Sequence, residues 1–153
     1  MMRPQAPIAL LLVLGVAGCG GQDPQAPTAA ELTVMLRDQD PNVQLKAAAW
    51  VKQLGPAAAE TVPALTAALK SRHHAVRQSA AVALGELGSA AAPAIPALTS
   101  ALSDAQYEVR KSAADALGNL GPAAQSAIPA LEAFSRQPDP CKSAQSALKK
   151  IRS

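Results

Sequence analysis

The chain has 153 residues, 49% of them hydrophobic but only 2% aromatic, with 36 Ala, 13 Pro and 9 Gly. So apolar a chain is not globally disordered, and one Phe, one Tyr and one Trp cannot furnish an aromatic β-sandwich core or a base-stacking platform. With 16% charged residues and a formal net charge of +3, the length fits a single Ala-rich helical domain and an extension.

Met1-Met2-Arg3 gives a positive start, and Ile8 to Ala17 is apolar apart from Gly15. About 20 apolar residues are needed to span a bilayer as a helix, so this run suits the hydrophobic region of a secretory signal. Val16-Ala17-Gly18-Cys19 follows directly and resembles the bacterial lipobox. The resemblance implies cleavage after Gly18, a diacylglycerol on the Cys19 sulfur and a mature lipoprotein held to a membrane. Gly20 stands where an aspartate marks inner-membrane retention in enterobacterial lipoproteins. The expected address is therefore the bacterial cell envelope, facing the periplasm from the outer membrane or from the outer face of the cytoplasmic membrane. Residues 19–28 hold the lipidated cysteine and a Gly/Pro/Gln-rich tether that reaches about 25 Å when extended.

From residue 29 onward the chain repeats itself every 33 residues. Val62-Pro63-Ala64-Leu65 returns as Ile95-Pro96-Ala97-Leu98 and Ile128-Pro129-Ala130-Leu131, and Leu54-Gly55 as Leu87-Gly88 and Leu120-Gly121. The units run over about 29–61, 62–94, 95–127 and 128–152. Each reads as two helices. The first opens at a proline, whose missing N–H costs nothing there. The second follows a polar break such as Asp38-Gln39-Asp40-Pro41, with Asp40 as its cap. Val109, Ala113, Leu117 and Leu120 form its apolar stripe. Gly121 is expected as a left-handed C-terminal cap, with Pro122 preventing continuation.

Val76-Arg77, Val109-Arg110 and the runs Ala83-Leu84-Gly85-Glu86-Leu87-Gly88 and Ala116-Leu117-Gly118-Asn119-Leu120-Gly121 resemble HEAT-like repeats of the short bacterial, lyase-type class. The resemblance covers residues 29–152. It implies an all-α fold: an α-solenoid of about four helical hairpins whose second helices line a concave, partner-binding face. The end units depart from the pattern. Trp50 replaces Ala83 and Ala116, Gln44 replaces Arg77 and Arg110, Phe134-Ser135 replaces Ala101-Leu102, and the last second helix has lost one or two residues of spacing. Such departures suit capping units.

Reactive chemistry is not expected. His73 and His74 share one turn, with no Cys or second His at ligand spacing. Asp38 to Ala49 lacks the glycine and glutamate of a calcium loop. Asp104 and Glu108 read as a helix end and first turn, and Cys141 as a small residue at a helix start. No catalytic, cofactor or metal residue is assigned. Arg77 and Arg110, with Lys111 beside them, are the candidate partner-binding residues; the same arginines equally suit a structural ladder to acids of neighbouring units. Lys142, Lys149, Lys150 and Arg152 make the final helix basic. The mature balance of 13 basic to 11 acidic residues argues against nucleic acid. The expected function is a lipid-anchored scaffold for an unknown protein partner. The alternatives are a structural envelope protein that self-associates or contacts cell-wall glycan, and an enzyme subunit of the HEAT-like lyase type.

Overall fold

The computed structural model describes residues 26–137 and 142–153; the expected signal segment, Cys19 and Cys141 lie outside them. Among the described residues the secondary structure is entirely helical. Eight α-helices follow in order: α1 (Ala29–Leu36), α2 (Pro41–Leu54), α3 (Val62–Ala68), α4 (His74–Glu86), α5 (Ile95–Ala101), α6 (Tyr107–Leu120), α7 (Ile128–Ser135) and α8 (Lys142–Arg152). They pair as α1/α2, α3/α4, α5/α6 and α7/α8, and the pairs stack in chain order.

Local chemistry sets the boundaries. Thr28 and Glu31 form a capping box, the Thr28 hydroxyl accepting from the Glu31 N–H at 3.3 Å and the Glu31 carboxylate from the Thr28 N–H at 2.8 Å. Asp40 caps α2 by accepting from the Asn42 N–H at 2.8 Å, and Pro41 opens that helix.

Each of α2, α4 and α6 stops at or just before its glycine as expected, but not in the expected left-handed cap conformation. Gly55, Gly88 and Gly121 do take positive φ, +54°, +55° and +60°. At Gly55 and Gly121, however, ψ is −137° and −140°, outside the left-handed helical basin and in a region only glycine enters freely. The chain then continues as 3₁₀ helices, Gly55–Thr61, Gly88–Ala94 and Gly121–Ala127. Pro56 and Pro122 open two of these instead of ending a helix, because a missing N–H is as harmless at a new start. Ala58, Ala91 and Ala124, one per unit, are fully buried and seat these segments.

Hydrophobic burial falls at equivalent positions: Leu65, Leu98 and Leu131 from the first helices, Val51, Leu84 and Leu117 from the second, all fully buried. The second helices make the main contacts between units, α2 on α4, α4 on α6 and α6 on α8, whereas successive first helices meet little. Glycine brings the second helices together. A Cβ on Gly85 would lie 3.0 Å from the Cα of Ala116, and one on Gly118 2.9 Å from the Cα of Ala147. The second helices thus form the more closely packed of the two layers.

The end units differ as capping predicts. In α8 the partner of Gly118 is Ala147, 31 residues after Ala116, so two residues of spacing are gone; Ala144, Ala147, Leu148 and Ile151 are its buried face. Trp50 is half-buried against the core on the side of α2 that no earlier helix covers among the described residues.

Candidate partner-binding surface

The break between the helices of each hairpin is built from two bonds repeated through three units. The side chain of the first break residue accepts from the N–H two residues on: Asp38 from Asp40 at 2.8 Å, Ser71 from His73 at 3.3 Å, Asp104 from Gln106 at 2.9 Å. The carbonyl of that residue is then held by a side chain six residues on. Gln44 reaches the Asp38 carbonyl at 2.6 Å, Arg77 that of Ser71 at 2.9 Å and Arg110 that of Asp104 at 2.8 Å. Gln44, although it departs in type from the arginines, does the same task with an amide. These carbonyls lie two or three residues past the end of a first helix and so have no intrahelical partner.

Both arginines also reach the next hairpin. Arg77 clasps Asp104 in a two-point fork, Nε to Oδ2 at 2.7 Å and Nη2 to Oδ1 at 2.8 Å, with the side chains only 16% and 12% exposed. The fork raises the Arg77 pKa above its ordinary value against the effect of burial. The Asp104 carboxyl is held below the usual carboxylate range, first by the Arg77 hydrogen bonds and further by the Gln106 N–H and the charges of Arg77 and Arg110, while burial opposes. Arg110 has no such carboxylate among the described residues. Its guanidinium lies 5.6 Å from the Tyr107 ring centroid and 5.9 Å from that of Phe134 on α7, a cation–π contact across the third junction. Its Nε is buried without a hydrogen bond among the described residues.

The structure thus separates the three candidate residues. Arg77 and Arg110 turn into the loop edge and tie carbonyls there; Arg77 meets an acid of the next repeat, as the ladder alternative expected, whereas Arg110 meets the Phe134 ring. Lys111 is exposed and shares in no ion pair among the described residues. The missing link in the sequence argument was Asp104. It lies 27 residues from Arg77, and only the stacking of hairpins brings the two together.

The surface open to a partner is the outer stripe of the second helices. Ala49, Val82 and Asp115 hold equivalent positions at its centre and Ser146 the corresponding place on α8, all exposed or half-exposed. Leu45, Gln78, Lys111 and Lys142 flank them on one side, and Gln53, Glu86, Asn119 and Lys150 on the other. Spacing of four residues along each helix puts these rows side by side. The centre row has side chains no longer than those of its flanks, and over α2, α4 and α6 the three rows make a shallow trough, with α8 beyond its end. Asn119 and Lys150 join across two of these helices, Nζ to Oδ1 at 3.1 Å. Two clefts lie elsewhere. One of about 400 Å³ separates α3 from α5, between Leu69, Lys70, Pro96 and Asp104. The other, about 300 Å³, opens at the loop edge of the first junction, among Asp38, Gln44, Ser71 and Arg72.

The sequence matches the family model for HEAT repeats over residues 29–95 and 87–149. No curated protein matches it. Among solved structures, a chain of the complex of CpcE and CpcF of phycocyanin lyase from Nostoc sp. PCC7120 is similar, with 25% identity and a TM-score of 0.67 over 89% of this chain and 56% of that one. Two engineered proteins are also similar. One shares 26% identity with a TM-score of 0.65, over 81% of this chain and 62% of its own; the other shares 27% with 0.61, over 82% and 38%. The chain spans little more than half the length of the lyase chain. Two family matches that together cover most of the sequence, on a stack of four hairpins with the expected buried positions, place this chain in the HEAT-repeat family.

Proposed function

We propose that this chain is a lipid-anchored lipoprotein of the bacterial envelope that binds another protein through the trough of its second helices. The observation that carries the binding role is the division of labour between two edges. The charged residues most regular in the repeat, Arg77 and Arg110, hold the hairpins together at the loops. The outer stripe of α2, α4 and α6 varies from unit to unit and is free to be specific. A rigid stack presents such a stripe at little entropic cost on binding. The similar lyase chain is itself described in a complex of two proteins, which supports a protein partner.

The envelope address rests on Met1 to Cys19, with Cys19 as the anchor and the tether after it setting the reach. The reading takes the chain as a binding protein and not an enzyme, since His73 and His74 occupy one turn and no nucleophile side chain is bonded to a base among the described residues. A photo-crosslinking residue at Val82 or Asp115 is expected to capture one protein in intact cells, and the same residue at Pro63 or Ser100, on the first helices, to capture none. Capture from the first helices alone would refute the binding face. Retained envelope association and unchanged processing in Cys19→Ser would refute the anchor.

A further inference from the structure

We infer that the outward face of α8 is a docking surface for anionic lipid headgroups, a second and electrostatic attachment to the membrane. The helix carries Lys142, Lys149, Lys150 and Arg152 and no acidic residue. Ala144, Ala147, Leu148 and Ile151 are buried, which turns the opposite side outward. At 100° per residue, Lys142 and Lys149 sit at the centre of that side, two turns or about 10.5 Å apart. Lys150 and Arg152 flank them, Lys150 bonded to Asn119 and Arg152 paired with Glu132 on α7. Lys142 and Lys149 enter no ion pair among the described residues.

The face is not shaped to receive another hairpin. Gly85 and Gly118 allow α6 and α8 to close in, whereas the equivalent place on α8 holds Lys149. Nor is the net charge spread evenly along the repeats. Residues 29–104 carry six Lys or Arg against six Asp or Glu, and residues 105–153 seven against four. Chemistry narrows the occupant. The residues between the two central lysines, Gln145 and Ser146, are polar and exposed. Lysine ammonium groups act as point charges without the planar fork that selects a single carboxylate. A row of them, with no exposed apolar side chain between, suits a plane of headgroup charge.

The occupant rests on the envelope address proposed above, but the contact itself does not depend on lipidation, so the test uses the full chain with Cys19→Ser. Sedimentation with phosphatidylcholine vesicles, with and without phosphatidylglycerol, reads the partition coefficient. Any binding through the N-terminal segment, Arg3 included, is common to the charge-reversed variants and their parent, so it is the difference between these that reads the α8 face. The expected result is tighter binding to the anionic vesicles, lost at high salt and reduced at least tenfold in K142E/K149E, with K142Q/K149Q between and helicity unchanged in both variants. Equal binding to the two vesicle types would overturn the inference, as would indifference to charge reversal. So would capture of polyglutamate by these lysines without any preference for anionic vesicles, which would make the face a site for acidic protein segments. A negative result here leaves the Cys19→Ser localisation experiment untouched, and the reverse also holds.

Discussion

Arg77 on α4 grips Asp104, at the start of the break before α6, through Nε–Oδ2 and Nη2–Oδ1 bonds of 2.7 and 2.8 Å. The same guanidinium holds the Ser71 carbonyl of its own hairpin at 2.9 Å. One side chain therefore closes a break and joins two repeats, and its loss acts on both. Asp104→Asn keeps the size but removes the charge and one acceptor, and Arg77→Lys keeps the charge but not the fork. Each is expected to cost about 1–3 kcal/mol by chemical denaturation, the usual range for a shielded, charge-assisted bond.

The pH dependence follows from the direction of the Asp104 shift. Its folded-state pKa is depressed, so its stabilisation is present above the unfolded value of about 3.9 and is lost as pH falls through the folded value. Arg77 is raised; its share is complete below its unfolded pKa and is lost only in strong alkali. The stability gap between the native chain and Asp104→Asn should accordingly be full at neutral pH and close in acid below about pH 4. Urea titrations across that range would show it, and a gap independent of pH would disprove the assignment.

Gly118 is a second point of close fit. An alanine in mid-helix gains about 1 kcal/mol of propensity over glycine. Here the new Cβ would lie 2.9 Å from the Cα of Ala147 and 3.1 Å from its Cβ, and neither atom can swing away without moving the backbone. Overpacking of this kind costs about 1–3 kcal/mol. Gly118→Ala is thus expected to lower the thermal midpoint despite the better helix former, and Gly85→Ala, with contacts of 3.0 and 3.2 Å, to do so less.

How much of this was legible in the sequence depended on range. The 33-residue step showed which residues are equivalent, and Leu65, Leu98 and Leu131 are buried accordingly. Capping at Asp40 was legible because it is settled within three residues. Gly121 was half legible: a glycine there implied positive φ, but ψ is fixed by how Ala124 and Ala127 seat in the next unit, which no local rule encodes. The Arg77 to Asp104 fork needed the stacking geometry, since equivalent residues do not pair with each other. Arg77 has its acid in the next repeat, Gln44 faces Ser71, and Arg110 falls back on Phe134.

That inequality predicts where the array is weakest. At the first junction no ion pair joins Gln44 to the second hairpin. Lys52 holds the place that Gly85 and Gly118 hold at the later junctions, and a cleft of about 300 Å³ opens beside Ser71. Native-state hydrogen exchange should accordingly be faster in α1 and α2 than in α4 and α6. Gln44→Arg with Ser71→Asp rebuilds the fork seen one repeat later, because Asp can also accept from the His73 N–H as Asp104 does from Gln106. The double variant should slow exchange in α2 and raise the thermal midpoint by a few degrees. Unchanged exchange would mean that the junction is held by packing alone.

The last prediction separates ladder from interface. If Arg77 and Arg110 contacted the partner, reversing them would abolish capture and leave the fold intact. The geometry argues the opposite order of effects. Arg77→Glu would face Asp104 with a like charge and leave the Ser71 carbonyl unpaired; Arg110→Glu would lose the Asp104 carbonyl and the Phe134 ring. Both should therefore lower stability by about 2–4 kcal/mol, with partner capture falling only as far as the folded population does. Lys111→Glu and Asp115→Lys change charges that are exposed on the trough. They should shift the thermal midpoint little yet weaken crosslinking from Val82. Capture that survives the trough variants but vanishes in a fully folded Arg77→Glu would return the binding site to the loop edge.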